Sequence, residues 1–88
     1  MKIVYLKKFS KDLDKIANPK QLKIILDLIR LIENAENIQQ IPSIKKLSGF
    51  TDAYRIRVGD FRIGVFLGDD TIEFARIAHR KDIYKLFP

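Results

Sequence analysis

Arg55, Arg57 and Arg62 lie within one stretch, Tyr54 to Leu67, which reads YRIRVGDFRIGVFL. Apolar residues recur at Tyr54, Ile56 and Val58, and again at Phe61, Ile63, Val65 and Leu67. That alternation predicts two strands, with the arginines on the face opposite the apolar one. Gly59-Asp60 is a pair suited to a two-residue hairpin loop, because glycine takes positive φ without strain. With that loop, Val58 faces Phe61, Arg57 faces Arg62 and Arg55 faces Gly64. Like charges directly across two strands lower stability by a fraction of a kcal/mol. A face that binds anions accounts for the pattern, since the guanidinium fork matches phosphate with two parallel hydrogen bonds.

Further along, His79, Arg80 and Tyr84 follow a predicted third strand, and alternation brings them to the rim of the same face. Cleavage of RNA by its own 2′-hydroxyl needs a base for that hydroxyl, positive charge for the phosphorane and an acid for the 5′-oxygen. His79 is the one histidine and titrates near neutral pH, so it suits either proton role. Tyr84 is the other candidate. Arg62 and Arg80 would stabilise the phosphorane, while Arg55, Arg57 and Lys46 would hold phosphates. An unstacked base needs an aromatic platform, for which Tyr84 and Phe66 are available. Gly64 leaves a gap in the side-chain layer where a backbone could approach closely. The chain has no Walker loop, dinucleotide fingerprint, HExxH or Cys/His ligand set, so neither a cofactor nor a metal is expected.

These residues need elements to hold them. Lys2 to Leu6 (KIVYL) predicts a short strand. A first helix follows with Phe9, Leu13, Ile16 and Ala17 on one stripe, Ser10 as N-cap, and Asp12 and Asp14 near its positive end. Asn18-Pro19 restarts the chain as a second helix running to about Ala35, with Gln21 completing a capping-box variant. Its core stripe is Leu22, Ile25, Leu26, Ile29 and Ile32. A second stripe, Ile24, Leu28 and Leu31, either packs on a neighbouring layer or offers a patch to a partner. Asn37 to Ser48 reads as irregular.

After the hairpin, Gly68-Asp69-Asp70 turns into a third strand, Thr71 to Ile77. A two- or four-residue loop puts Ile72 and Phe74 in the core and Glu73, Ala75 and Ile77 on the arginine face. A three-residue loop reverses this and brings Arg76 to the arginines. Apolar continuity favours the first. Arg76 then pairs with Glu73 or Asp70. The chain closes in a helical turn. The expected fold is a single α+β domain over residues 1–88, with two N-terminal helices packed on one face of a small antiparallel sheet in the order β-α-α-β-β-β.

Seventeen Lys and Arg against eleven Asp and Glu give a net charge of +6 and a pI near 9.7. That balance points to a polyanionic partner, or to a solvated lysine-rich surface. Five of the six arginines lie in or after the hairpin, whereas the first fifty residues carry nine lysines and one arginine. With no cysteine there is no disulfide framework. No signal peptide is recognisable, and no apolar run approaches the ~20 residues that span a bilayer, so a cytoplasmic home without membrane contact is expected.

The run YRIRVGDFRIGV, followed by IEFARIAHRKDIYKLF, resembles the bacterial and archaeal RelE/ParE toxin superfamily, and KKFSKDLDKI and LSG-x-x-x-AYRIRVGDFRI extend the resemblance over the whole chain. The resemblance implies the toxin of a type II toxin–antitoxin module. In the RelE branch such a toxin is an endoribonuclease that cuts mRNA in the ribosomal A site by 2′-hydroxyl attack, without metal. Arg55 and Arg57 match the basic strand positions, Arg62 the hairpin arginine, Tyr84 the C-terminal tyrosine and Arg80 the HR motif beside His79. The position six residues before Tyr84, arginine in the best-known bacterial RelE, is Ala78. An acidic antitoxin is the implied partner in a hetero-oligomer, seated on Ile24, Leu28 and Leu31. The ParE branch implies a gyrase inhibitor without nuclease chemistry, and a weakened homologue that mainly binds antitoxin is a third reading.

Overall fold

Five strands and three helices follow one another in an order set by local sequence chemistry. The computed structural model describes residues 1–88. Strand β1 (Lys2–Tyr5) leads straight into α1 (Lys7–Asp14). Leu6, in extended conformation, is the N-cap, and the Ser10 amide donates to the Leu6 carbonyl at 3.2 Å. Ser10 is therefore inside the first turn rather than capping it, and Asp12 and Asp14 lie in the C-terminal half of α1. The early start places Phe9, 1% exposed, in the core.

Helix α2 (Pro19–Glu33) begins as its sequence dictates. The Asn18 side chain accepts from the amides of Lys20 and Gln21, and Pro19 occupies the first helical position. Ile25, Ile29 and Ile32 are buried, Leu22 is partly buried, and Leu26 stays 39% exposed at the groove between α1 and α2. On the other flank Leu28 packs partly on the core, while Ile24 and Leu31 are exposed.

A short 3-10 turn (Ile38–Gln40) leads to β2 (Ile44–Lys46), a strand in the segment expected to be irregular. Then come β3 (Ala53–Val58), β4 (Phe61–Gly68), β5 (Thr71–His79) and a single helical turn, α3 (Ile83–Leu86). The sheet order is β1-β5-β4-β3-β2. β1 pairs with β5 in parallel, so the sheet is mixed rather than antiparallel throughout. The first strand is therefore an edge strand, beside the last.

The hairpin register follows the alternation: Val58 pairs with Phe61, Arg57 with Arg62, Ile56 with Ile63 and Arg55 with Gly64. Gly59 takes φ +57° at the first loop position. The β4–β5 turn is a two-residue loop, Asp69-Asp70, with Gly68 opposite Thr71. Beyond it Ile72 and Phe74 enter the core, but the register shifts beside Gly64 and Val65, where Ala75 has no cross-strand partner. This bulge reverses the parity of everything that follows. Arg76 joins Gly64 and Ala78 joins Arg62 on the arginine face, while Ile77 turns into the core. Each expected register thus holds for half of β5.

Arg76 reaches neither Glu73 nor Asp70. Its Nε donates to Asp12 of α1 at 2.7 Å, and the Ile77 amide donates to the same carboxylate at 3.2 Å. Asp12 thereby satisfies a strand edge that β1 has stopped covering.

The face opposite α1 and α2 also carries a small core. Ala53, Ala75, Ile83 and Phe87 are buried there, with Leu6, Leu47, Phe66 and Ala78 packed around them. α3 lies across this face, so the sheet has one large apolar side and one divided between packing and charge.

Candidate nucleic-acid interface

Four cations line a groove of about 450 Å³ at the β2–β4 end of the second face, together with Ser43 and Ile44. They are Lys45, Arg55, Arg57 and Arg62, and no carboxylate shares the lining. β2 supplies Lys45, which pairs with Arg55. Lys46 pairs instead with Tyr54, whose ring packs on the main core, so Lys46 falls on the other side of the sheet and does not line the groove. Lys45 takes the place expected for Lys46. A three-residue edge strand sets this parity, and the alternation of Ile44 with Lys45 is its sequence signal.

Arg62 is held at the hairpin turn, where its guanidinium donates to the carbonyls of Gly59 at 2.9 Å and Phe61 at 2.8 Å. Burial depresses its proton affinity, and repulsion from Arg57, Arg55 and Arg80 depresses it further. Tyr84 acts in the opposite sense. Since guanidinium stays protonated in proteins, the repulsion registers as an unmet demand for negative charge.

Tyr84 stands on α3, 69% exposed, with the Arg55 guanidinium 5.0 Å from its ring centroid and donating to its hydroxyl. The Arg80 amide donates to the Asp60 carbonyl at 2.8 Å, tying the C-terminal loop to the hairpin turn. The structure therefore brings together Arg55, Arg57, Arg62, Arg80 and Tyr84.

His79 does not join them. The bulge at Ala75 puts it in register with Phe61, on the side of α1 and α2, where the two rings meet edge to face at 6.1 Å. Its Nδ1 accepts from the Lys81 amide at 3.3 Å. Ala78 takes the position opposite Arg62 and packs in the small second core. Gly64 offers no gap to a ligand, because the Phe87 ring fills it. Phe66 packs on Phe87 at 4.9 Å between centroids, which leaves Tyr84 as the open aromatic surface. Sequence reading missed Phe87, because its partner is 23 residues away in the chain, and it chose Lys46 over Lys45 for phosphate binding.

A family model described as the ParE toxin of the type II toxin–antitoxin system parDE matches residues 3–84. Toxin RelE3 of Methanocaldococcus jannaschii is 40% identical over 89 residues, spanning 100% of both chains. Among solved structures, a chain of the RelB–RelE antitoxin–toxin complex from Methanococcus jannaschii superposes with a TM-score of 0.81 at 39% identity, over 97% of this chain and 99% of that one. A chain of the archaeal RelE–RelB complex from Pyrococcus horikoshii OT3 shares the fold, with a TM-score of 0.70 at 23% identity over 90% and 93% of the two chains. With the α+β sheet and full-length likeness in agreement, the chain belongs to the RelE/ParE superfamily of toxins of type II toxin–antitoxin systems.

Proposed function

We propose that this toxin is an endoribonuclease that cuts mRNA in the ribosomal A site by 2′-hydroxyl attack, with its own side chains supplying the chemistry. The observation that carries the reading is the carboxylate-free groove of Lys45, Arg55, Arg57 and Arg62 with exposed Tyr84 at its border. Lys45, Arg55 and Arg57 bind backbone phosphates. Arg62 and Arg80 meet the charge that grows on the phosphorane. The 2′-oxygen bonds to phosphorus, the bond to the 5′-oxygen breaks, and a 2′,3′-cyclic phosphate and a 5′-hydroxyl result. One proton leaves the 2′-hydroxyl and one reaches the departing 5′-oxygen. Tyr84, whose hydroxyl is held by Arg55, is placed for this exchange, whereas His79 faces the other side of the sheet.

The partner is an acidic antitoxin. The net charge of +6 and the exposed stripe of Ile24 and Leu31, flanked by Leu28, support that pairing, as do the related toxins solved with RelB antitoxins. No helix is long and apolar enough to cross a membrane, and the reading places the toxin in the cytoplasm with ribosomes. Primer extension on mRNA after induction tests the function. Cuts within codons are expected, and Arg62→Ala with Arg80→Ala should abolish them while the variant stays folded. Intact transcripts during full growth arrest would refute cleavage. The match to a ParE model favours a second reading, inhibition of DNA gyrase, in which supercoiling fails at stoichiometric toxin and mRNA stays whole.

A further inference from the structure

Gly64 sits between Arg55 and Arg76 in one row of the second face. A Cβ at this position would overlap Cγ and both Cδ atoms of Phe87. The Phe87 ring therefore occupies a notch that only glycine leaves open, and its residue is 6% exposed. Small residues continue the floor on either side: Ala53 and Ala75 are buried, and Ala78 packs against them.

α3 spans four residues, too few to hold a helical turn by backbone hydrogen bonds alone. Ile83, 1% exposed, anchors one end, and Phe87 anchors the other, its amide donating to the Ile83 carbonyl at 2.9 Å. Ile83 and Phe87 are four residues apart and share the face turned to the sheet. Tyr84 lies between these anchors and meets Arg55. Nothing else in α3 is buried.

We infer that Phe87, seated in the Gly64 notch, is a positioning residue that holds Tyr84 against Arg55 and so sets the rate of RNA cleavage. The inference rests on the nuclease reading for its kinetic consequence, and on the fold alone for its geometric one. With the Phe87 ring gone, the turn keeps a single anchor, and the Tyr84 hydroxyl no longer has a fixed distance to a bound phosphate. Loss of that alignment costs rate, while phosphate binding by Lys45, Arg57 and Arg62 continues.

The experiment compares full-length Phe87→Ala, Phe87→Leu, Tyr84→Phe and the double variant Phe87→Ala/Tyr84→Phe in cleavage of mRNA on programmed ribosomes. For Phe87→Ala, kcat should fall by about 10²-fold with KM near that of the parent. Phe87→Leu, which fills the notch only in part, should lose about 10-fold in kcat, and it carries the test if Phe87→Ala fails to fold. In the Tyr84→Phe background, Phe87→Ala should add nothing. Native kcat in Phe87→Ala, or in Phe87→Leu if it alone folds, would overturn the inference. So would an equal loss with and without the Tyr84 hydroxyl. If the parent cleaves no RNA, the nuclease reading fails instead, and proton NMR decides the geometry. Contacts between the Tyr84 ring and Arg55 should then vanish in Phe87→Ala, or weaken in Phe87→Leu, and their persistence would overturn it.

Discussion

Arg57 and Arg62 face each other across β3 and β4 with no carboxylate lining the groove between them. Two carbonyls of the hairpin turn offset part of the repulsion at Arg62, and the Arg57 side chain has no such acceptor. Replacing Arg57 should relieve a like-charge pair at the expense of a proposed phosphate contact. Arg57→Thr is expected to raise stability by about 0.2–1 kcal/mol, seen as a higher urea midpoint whose margin narrows with salt. The same variant should bind single-stranded RNA more weakly in an anisotropy titration. The facing arginines were legible because a two-residue loop and strict alternation fix a register locally. His79 was not. Its side of the sheet depends on the extra residue at Ala75, and nothing in TIEFARIAH distinguishes a bulged strand from a regular one.

At the scale of elements, two contacts between distant segments tie the helices to the sheet. Asp12 joins α1 to β5 by accepting from Arg76 and from the Ile77 amide, with side chains 10% and 20% exposed for Asp12 and Arg76. Asp12→Ala should lower stability by about 1–3 kcal/mol, because it leaves a backbone donor and a guanidinium without partners. Urea unfolding measures this directly.

Tyr5 of β1 stacks on Phe74 and donates to Glu33 of α2 at 2.6 Å. Burial, then the hydrogen bond to Glu33 and the Glu33 charge, push its phenol well above the ordinary range. The folded state thus prefers the neutral phenol. The stabilisation is complete below about pH 10, where the unfolded phenol titrates, and it is lost as pH rises through the higher folded value. Urea midpoints should therefore fall more steeply above about pH 10 for the parent than for Tyr5→Phe. Neither contact could be read from the sequence, since each joins residues far apart in the chain. The start of α2 could be read, because Asn18, Pro19 and the amides they cap are neighbours.

For the molecule as a whole, charge and packing divide one side of the sheet between them. Four groove cations predict that binding of single-stranded RNA weakens with salt, at about 0.7 in logarithmic slope per phosphate contact, or about −3 if all four engage. Anisotropy titrations in rising potassium chloride give the slope, and a value near zero would exclude phosphate recognition by the groove. The two-layer fold was legible from the order of helices and strands. Its second small core was not, because Ala53, Gly64, Ala75 and Ala78 are individually unremarkable and become a floor only when three strands are aligned.

The meeting of β1 with β5 also sets a timetable for synthesis. Translation makes Lys2–Tyr5 first, yet their strand partners are Thr71–Phe74, and Arg55 receives Tyr84 later still. Such long-range pairing cannot close on a partial chain. Until Thr71–Phe74 and Tyr84 have been made, the first strand therefore stays unpaired and the groove lacks its aromatic border. Closure of the sheet and completion of the groove border thus wait on the same late-made segment.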